Sequence, residues 1–234
     1  MAETGKTATG KKRPGTGARV PDHLAEARAK ILAEALPNVP FDGWTPRLLR
    51  DAAEQAGVTA GEARLAFPGG VLDLVDYFLA DGDRRMTEAL AHEGLASMKI
   101  RERITHAVRT RIEVDILHRE AMRRAVTLLA LPTSGGLGLR TLYRTVDAIW
   151  RATGDTSTDV NFYTKRATLA GVFSAVSLYW FADESEDHQD TWAFLDRRIE
   201  DVMRFERLKA GVKGVAEKLP DPFALLGRLR YGRG

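Results

Sequence analysis

The side chains of this 234-residue protein best suited to metal ligation or proton transfer are five histidines, His23, His92, His106, His118 and His188. They are scattered along the chain, and none stands in a Glu-x-x-His or His-Glu-x-x-His arrangement. Glu88 with His92 and Glu102 with His106 are four positions apart, the spacing of ordinary pairing along a helix rather than of ligation. Neither a Gly-x-Ser-x-Gly elbow nor a P-loop is present. Ser134-Gly135-Gly136-Leu137-Gly138 is glycine-rich, but with no strand before it the run reads as a loop and helix start. The chain has no cysteine, which excludes disulfides, thiolate chemistry and sulfur-ligated metals. These residues point away from an enzyme and away from a resident metal or cofactor.

A second group suits recognition instead. Gly154 to Arg166, reading Gly-Asp-Thr-Ser-Thr-Asp-Val-Asn-Phe-Tyr-Thr-Lys-Arg, crowds polar, aromatic and basic side chains into the start of an apolar helix. Thr158 or Asp159 can cap the first free N–H groups of that helix. At about 100° per residue, Phe162 aligns with Leu169, Phe173 and Trp180, whereas Tyr163 falls about 100° and Arg166 about 40° away. On this count Phe162 packs inside while its neighbours cap and solvate the helix start. An aromatic beside an arginine is also the composition of interface anchors, and helix ends can expose what mid-helix periodicity buries.

The elements that position these groups are helices. Apolar residues recur at helical spacing almost everywhere, with no competing alternation, so the fold class is all-α. Leu24, Ala27, Ile31 and Ala35 line a first helix, with Asp22 as its N-cap and an end before Pro40. Thr45-Pro46 opens a second helix that Gly57 ends, and Thr59-Ala60-Gly61-Glu62 is a capping box for a short third. A long spine follows from Gly70 through Leu72, Val75, Leu79, Met86 and Leu90. Further stripes are Ile104-Val108-Ile112-Ile116, then Met122-Val126-Leu129 stopped by Pro132, then Leu139-Leu142-Val146-Ile149. Leu169 to Trp180 and Trp192-Leu195-Ile199-Val202 make two final long helices that suit pairing across a homodimer. Periodicity does not separate a solid core from a hollow one.

Residues 45 to 70, followed by a long helical domain, resemble in spacing the TetR-type regulators, whose first three helices bind an operator. The chemistry of this segment differs. Its short third helix reads Ala-Gly-Glu-Ala-Arg-Leu-Ala, and Arg47, Arg50 and Arg64 are offset by Asp51, Glu54 and Glu62. Specific DNA binders neutralise roughly 6–10 phosphates, so even a dimer would need every local arginine free of its neighbouring carboxylates. No specific nucleic-acid partner is expected.

The total charge of +3 is unevenly spread: residues 1–20 and 205–234 each carry +4, which leaves the body between them at −5. Acidic body and basic ends suit a membrane surface better than a nucleic-acid clamp. Leu208, Val212, Val215 and Leu219 fall within about 60° on a helical wheel, with Lys209 and Lys213 away from them. Gly211 and Gly214 each cost roughly 1 kcal/mol of helix stability, so this segment folds best when a bilayer interface, or its own body or a partner chain, covers its apolar face. No apolar run approaches the ~18 residues of a membrane span, and the N-terminus lacks a secretory apolar core. The expected organisation is a flexible basic tail (1–20), a helix-turn-helix-like subdomain (21–70), a helical lipid-binding and dimerisation domain (71–204) and an amphipathic tail (205–234).

From about Ile31 to about Asp201, through Gly43-Trp44-Thr45, the Asn-Phe-Tyr-Thr-Lys-Arg segment and Asp190-Thr191-Trp192-x-Phe194-Leu195, the chain resembles the coenzyme Q biosynthesis protein nine family. That resemblance implies a lipid-binding accessory of ubiquinone synthesis, without catalysis of its own, that presents a polyprenylated quinone precursor to a di-iron demethoxyubiquinone hydroxylase. It further implies a partner-docking surface at Asp159, Phe162, Tyr163 and Arg166, and an elongated apolar cavity for an isoprenoid or phospholipid. Leu139, Leu142, Val146, Phe173 and Trp180 are its expected wall. The expected location is cytoplasmic, peripheral on the inner face of a bacterial inner membrane. A ligand-responsive TetR-type repressor is the competing class.

Overall fold

The computed structural model describes residues 21–155 and 160–216, with the side chains of 160–162 and 206–216 outside that description. The described residues form helices and no strand. In chain order the helices are α1 (Asp22–Ala35), α2 (Val39–Asp42), α3 (Pro46–Gln55), α4 (Ala60–Ala66), α5 (Val71–Ala91), α6 (Ile100–Glu113), α7 (Arg119–Leu129), α8 (Leu137–Ala152), α9 (Val160–Phe181) and α10 (Gln189–Ala216). Single turns of tighter helix punctuate the later connections.

Local chemistry sets most of the boundaries. Thr45 Oγ1 accepts from the Leu48 N–H at 3.1 Å, with Pro46 in the first turn, where its missing N–H is harmless. Thr59 and Glu62 close a reciprocal box at α4: Thr59 Oγ1 accepts from the Glu62 N–H at 3.2 Å and Glu62 Oε2 from the Thr59 N–H at 3.1 Å. Two expectations are corrected. Pro21, in extended geometry, precedes the first turn of α1, and Asp22 is its first helical residue rather than its N-cap. Ile116 is not on α6, which stops at Glu113; it lies in the following turn and is 39% exposed. The cause is Asp115, fully buried against Arg111 and Arg85, while the Val114 carbonyl accepts from Arg85. The chain turns inward there and abandons its stripe.

Helix α1 lies across α3 and α4, and α5 joins this group to α6 and α8. Helix α8 then packs on α9, α9 on α10, and α10 back on α6. One continuous core runs through the molecule, from Ile31 and Trp44 through Phe78 and Met86 to Ile149, Trp180 and Leu195. The helix-turn-helix-like end is fastened to the body by polar contacts as well. Trp44 Nε1 donates to the Ala121 carbonyl at 3.0 Å, its ring lies 5.5 Å from that of Phe78, and Arg124 donates to the Pro40 carbonyl at 2.9 Å. None of the described helices is long and apolar enough to cross a membrane.

Candidate ligand clefts and the Tyr163 surface

A cleft of about 400 Å³ opens between α7, α8 and α9, within the size range of small-molecule sites. Met122, Val126 and Leu129 supply one wall, Leu142 and Phe173 the others. Gly138 fixes the approach of α7 to α8, because a Cβ there would sit 2.9 Å from the Leu129 carbonyl oxygen. Gly135 and Gly136, at φ +59° and +80°, make the left-handed turn that launches α8.

The lining is not wholly apolar: Thr141, Thr145, Ser174, Ser177 and Arg111 also belong to it. Arg111 is 1% exposed and fully engaged by carboxylates: Nε donates to Asp83 at 2.8 Å and Nη1 to Asp115 at 2.6 Å. Burial alone would push its pKa down, but Asp115 and Asp83 together hold it above its usual value. The network continues outward. Arg144 bridges Asp83 (3.2 Å) and Asp76 (2.5 Å), Arg85 meets Asp115 (2.5 Å), and Thr145 Oγ1 donates to Asp83 (2.8 Å). Gly82 makes room, since a Cβ there would lie 2.7 Å from the guanidinium. Sequence reasoning missed this network. The signal available was a charge on an apolar stripe: Arg111 stands seven residues after Ile104, and Asp83 four after Leu79.

Three of the five expected lipid contacts line this cleft, Leu139, Leu142 and Phe173. Leu139 is 76% exposed and forms its outer rim. Val146 and Trp180 are corrected to core residues outside the cleft, at 0% and 1% exposure. Both point into the shared interior of the bundle because their stripes face neighbouring helices rather than the gap.

A second cleft, of about 460 Å³, lies on the other side between α6, α8, α9 and α10. Ile104, Leu169, Val172, Ile199 and Val202 give it an apolar lining, with Arg101, Arg103, Trp150, Asp155 and Lys165 at its polar end. It adjoins the start of α9. There Tyr163 is 68% exposed. Arg166 is not: it is 3% exposed and clamped between Asp147 (2.8 Å) and Asp155 (3.2 Å). The expectation of Arg166 as a surface contact is therefore corrected, because two partly or fully buried carboxylates draw it inward, and its role is to tie α8 to α9. Lys165 also meets Asp155, at 3.0 Å, and lies 5.3 Å from the Trp150 ring. Asp159 and the Phe162 side chain lie outside the described residues.

Asp183 organises the far end of α9. Its carboxylate accepts from the Ser185 N–H (2.8 Å) and hydroxyl (2.7 Å) and from the Thr191 N–H (2.9 Å) and hydroxyl (2.5 Å), which aims α10. Helix α10 runs unbroken through residue 205 to Ala216. The side chains of Leu208, Lys209, Val212, Lys213 and Val215 lie outside the described residues, as does Leu219 altogether. At the helix-turn-helix-like end, Arg47 and Arg50 both pair with Asp51, at 3.3 and 3.2 Å, and the Glu62 carboxylate is held in the α4 box. Among the described residues no His, Asp and Glu side chains converge as a metal set.

Residues 136–206, from the glycine turn before α8 through most of α10, match the COQ9 family model. The mitochondrial ubiquinone biosynthesis protein COQ9 of Rattus norvegicus is 34% identical over 197 residues, 81% of this chain and 63% of that protein. The Homo sapiens protein of the same name is 33% identical over 197 residues, 62% of its length, so this chain spans less than two thirds of these relatives. Among solved structures, the TetR transcriptional regulator from Nitrosomonas europaea superposes with a TM-score of 0.61 at 21% identity, over 75% of this chain and 97% of the regulator. The chain is thus similar to COQ9 proteins over most of its length and carries a COQ9 family domain at residues 136–206, on a helical fold like that of a TetR regulator.

Proposed function

We propose that this protein is a lipid-binding accessory of ubiquinone biosynthesis that shelters a polyprenylated quinone precursor and presents it to a di-iron demethoxyubiquinone hydroxylase. The observation that carries the reading is the α7–α8–α9 cleft of a chain that matches the COQ9 family model, with apolar walls around Leu142 and Phe173 and hydroxyl-bearing residues in its lining. Arg111, Arg85 and Arg144 together balance Asp83, Asp115 and Asp76, so the polar part of the lining offers hydrogen bonds without net charge. That suits an uncharged ring with oxygen substituents and an isoprenoid tail, or the chains of a phospholipid, better than an ion. Catalysis is left to the hydroxylase, which docks on the exposed Tyr163 surface. The protein works peripherally on the inner face of a bacterial inner membrane, as a homodimer, with residues 205–234 meeting the lipid.

The test is uptake. Purified protein incubated with a prenylated quinone precursor should retain it in native mass spectrometry, and Leu142→Trp, which fills the cleft, should lower retention at least about tenfold. Retention unaffected by Leu142→Trp would remove the cleft from the proposal. The TetR-like fold keeps a repressor as the second reading. Arg47 and Arg50 committed to one aspartate argue against it. A gel shift at physiological salt decides, since a sharp sequence-selective complex would favour the repressor.

A further inference from the structure

We infer, building on the proposed docking at Tyr163, that the second cleft, between α6, α8, α9 and α10, extends that surface and seats an acidic segment of the docked hydroxylase, anchored by apolar contacts around Arg101. Continuity comes first. Thr164 and Lys165, which directly follow the exposed Tyr163 on α9, line the cleft, so the surface and the hollow of about 460 Å³ share an edge. The rim is apolar and open to solvent. Ile100 and Met203 line the cleft with exposed side chains, and Phe205, two positions further along α10, is exposed as well. Tyrosine, phenylalanine, methionine and arginine gathered on one face are the residue types in which protein interfaces are enriched over the rest of a surface.

Charge selects the partner segment. The carboxylates on the neighbouring turns are committed: Asp155 is held by Lys165 (3.0 Å) and Arg166 (3.2 Å), Glu200 by Arg204 (2.8 Å) and Asp201 by Arg198 (2.8 Å), while Glu102 accepts from the Lys99 N–H (3.0 Å). Two arginines that line the cleft have no carboxylate. Arg101 is exposed and makes no ion pair among the described residues, and Arg103 donates to the carbonyls of Met98 (2.8 Å), Ala96 (2.8 Å) and Thr153 (3.4 Å). Asp and Glu side chains of a partner complement this pair, with Arg101 free to form a charge-assisted hydrogen bond on docking. A bilayer is planar and meets only the rim, whereas a chain segment also fills the hollow. The concave shape therefore favours a protein over a membrane surface.

The test measures the affinity of the full chain for the purified hydroxylase between about 50 and about 300 mM salt. Arg101→Glu should weaken binding about tenfold and flatten its salt dependence, while Arg101→Lys should keep most of the affinity. Ile100→Ala should weaken it about threefold. Unfolding midpoints, measured alongside, should stay at the parent value because these side chains are exposed. Weakening by Tyr163→Ala with no effect of Arg101→Glu would overturn the inference and leave the docking reading standing. Weakening by Arg101→Glu alone would keep the cleft and move docking off Tyr163. Insensitivity to both would remove both. Vesicles of equal parts phosphatidylglycerol and phosphatidylcholine probe the membrane alternative: Arg101→Glu that lowers vesicle binding while hydroxylase affinity holds would assign the cleft to the bilayer and overturn the inference.

Discussion

The indole N–H of Trp44 donates to the carbonyl oxygen of Ala121 at 3.0 Å, joining residues 77 positions apart and fastening the helix-turn-helix-like end to α7. Trp44→Phe keeps most of the ring and deletes the donor. The expected loss is about 1–3 kcal/mol in urea unfolding. Hydrogen exchange in residues 46–66 should quicken more than in α8 or α9, and equal protection throughout would show that the contact fastens nothing.

The Arg111 network makes a sharper stability prediction. Arg111→Met leaves Asp83 and Asp115 buried without their shared cation, which costs about 3–5 kcal/mol. The same change combined with Asp83→Asn and Asp115→Asn removes the stranded charges. Denaturant midpoints for the triple variant should therefore recover part of the loss. A triple variant less stable than the single one would show that the carboxylates are compensated elsewhere, by Arg85 and Arg144.

How far the fold was legible in the sequence follows from the range of each interaction. Thr45-Pro46 and the Thr59–Glu62 box act within four residues, so their residue types announce the starts of α3 and α4. The glycine turn before α8 was legible for the same reason. Arg111 was not, because its partner Asp83 lies 28 positions away and only the folded chain shows that a charge on an apolar stripe is matched. Arg166 failed in the other direction. Placed about 40° from the core stripe, it looked half-solvated, yet Asp147 on α8 and Asp155 in the loop close over it. Ile116 belongs to the same class of error, since helical periodicity continues in the sequence where Asp115 ends it in space.

Asp183 gives the pH dependence its sign. Burial alone would raise its carboxyl, but the hydroxyls and N–H groups of Ser185 and Thr191 outweigh that and hold it well below the usual carboxylate range. A carboxyl with a depressed folded pKa stabilises the fold fully above its unfolded value of ~3.9. That contribution is lost as pH falls through the folded value. Asp183→Asn should cost about 1–3 kcal/mol at neutral pH and fall less steeply between pH ~4 and ~2 than the parent does. Parallel pH profiles for the two proteins would rule out Asp183 as the titrating group.

Tyr163 and Arg166, three positions apart on α9, should separate docking from folding. Tyr163 is 68% exposed, so Tyr163→Ala should change stability by less than about 0.5 kcal/mol while weakening hydroxylase pull-down. Arg166→Ala strips the cation from Asp147 and Asp155, and should cost about 3 kcal/mol or more before any partner is added. Its effect on pull-down would then report a misplaced α9 start rather than a lost contact. Arg166→Lys distinguishes the two, because it restores charge without the two-carboxylate fork. Pull-down that tracks the unfolding midpoint across the Arg166 series, but not across the Tyr163 series, is the outcome this geometry requires. Pull-down lost in Arg166→Lys at unchanged stability would return the arginine to the docking surface.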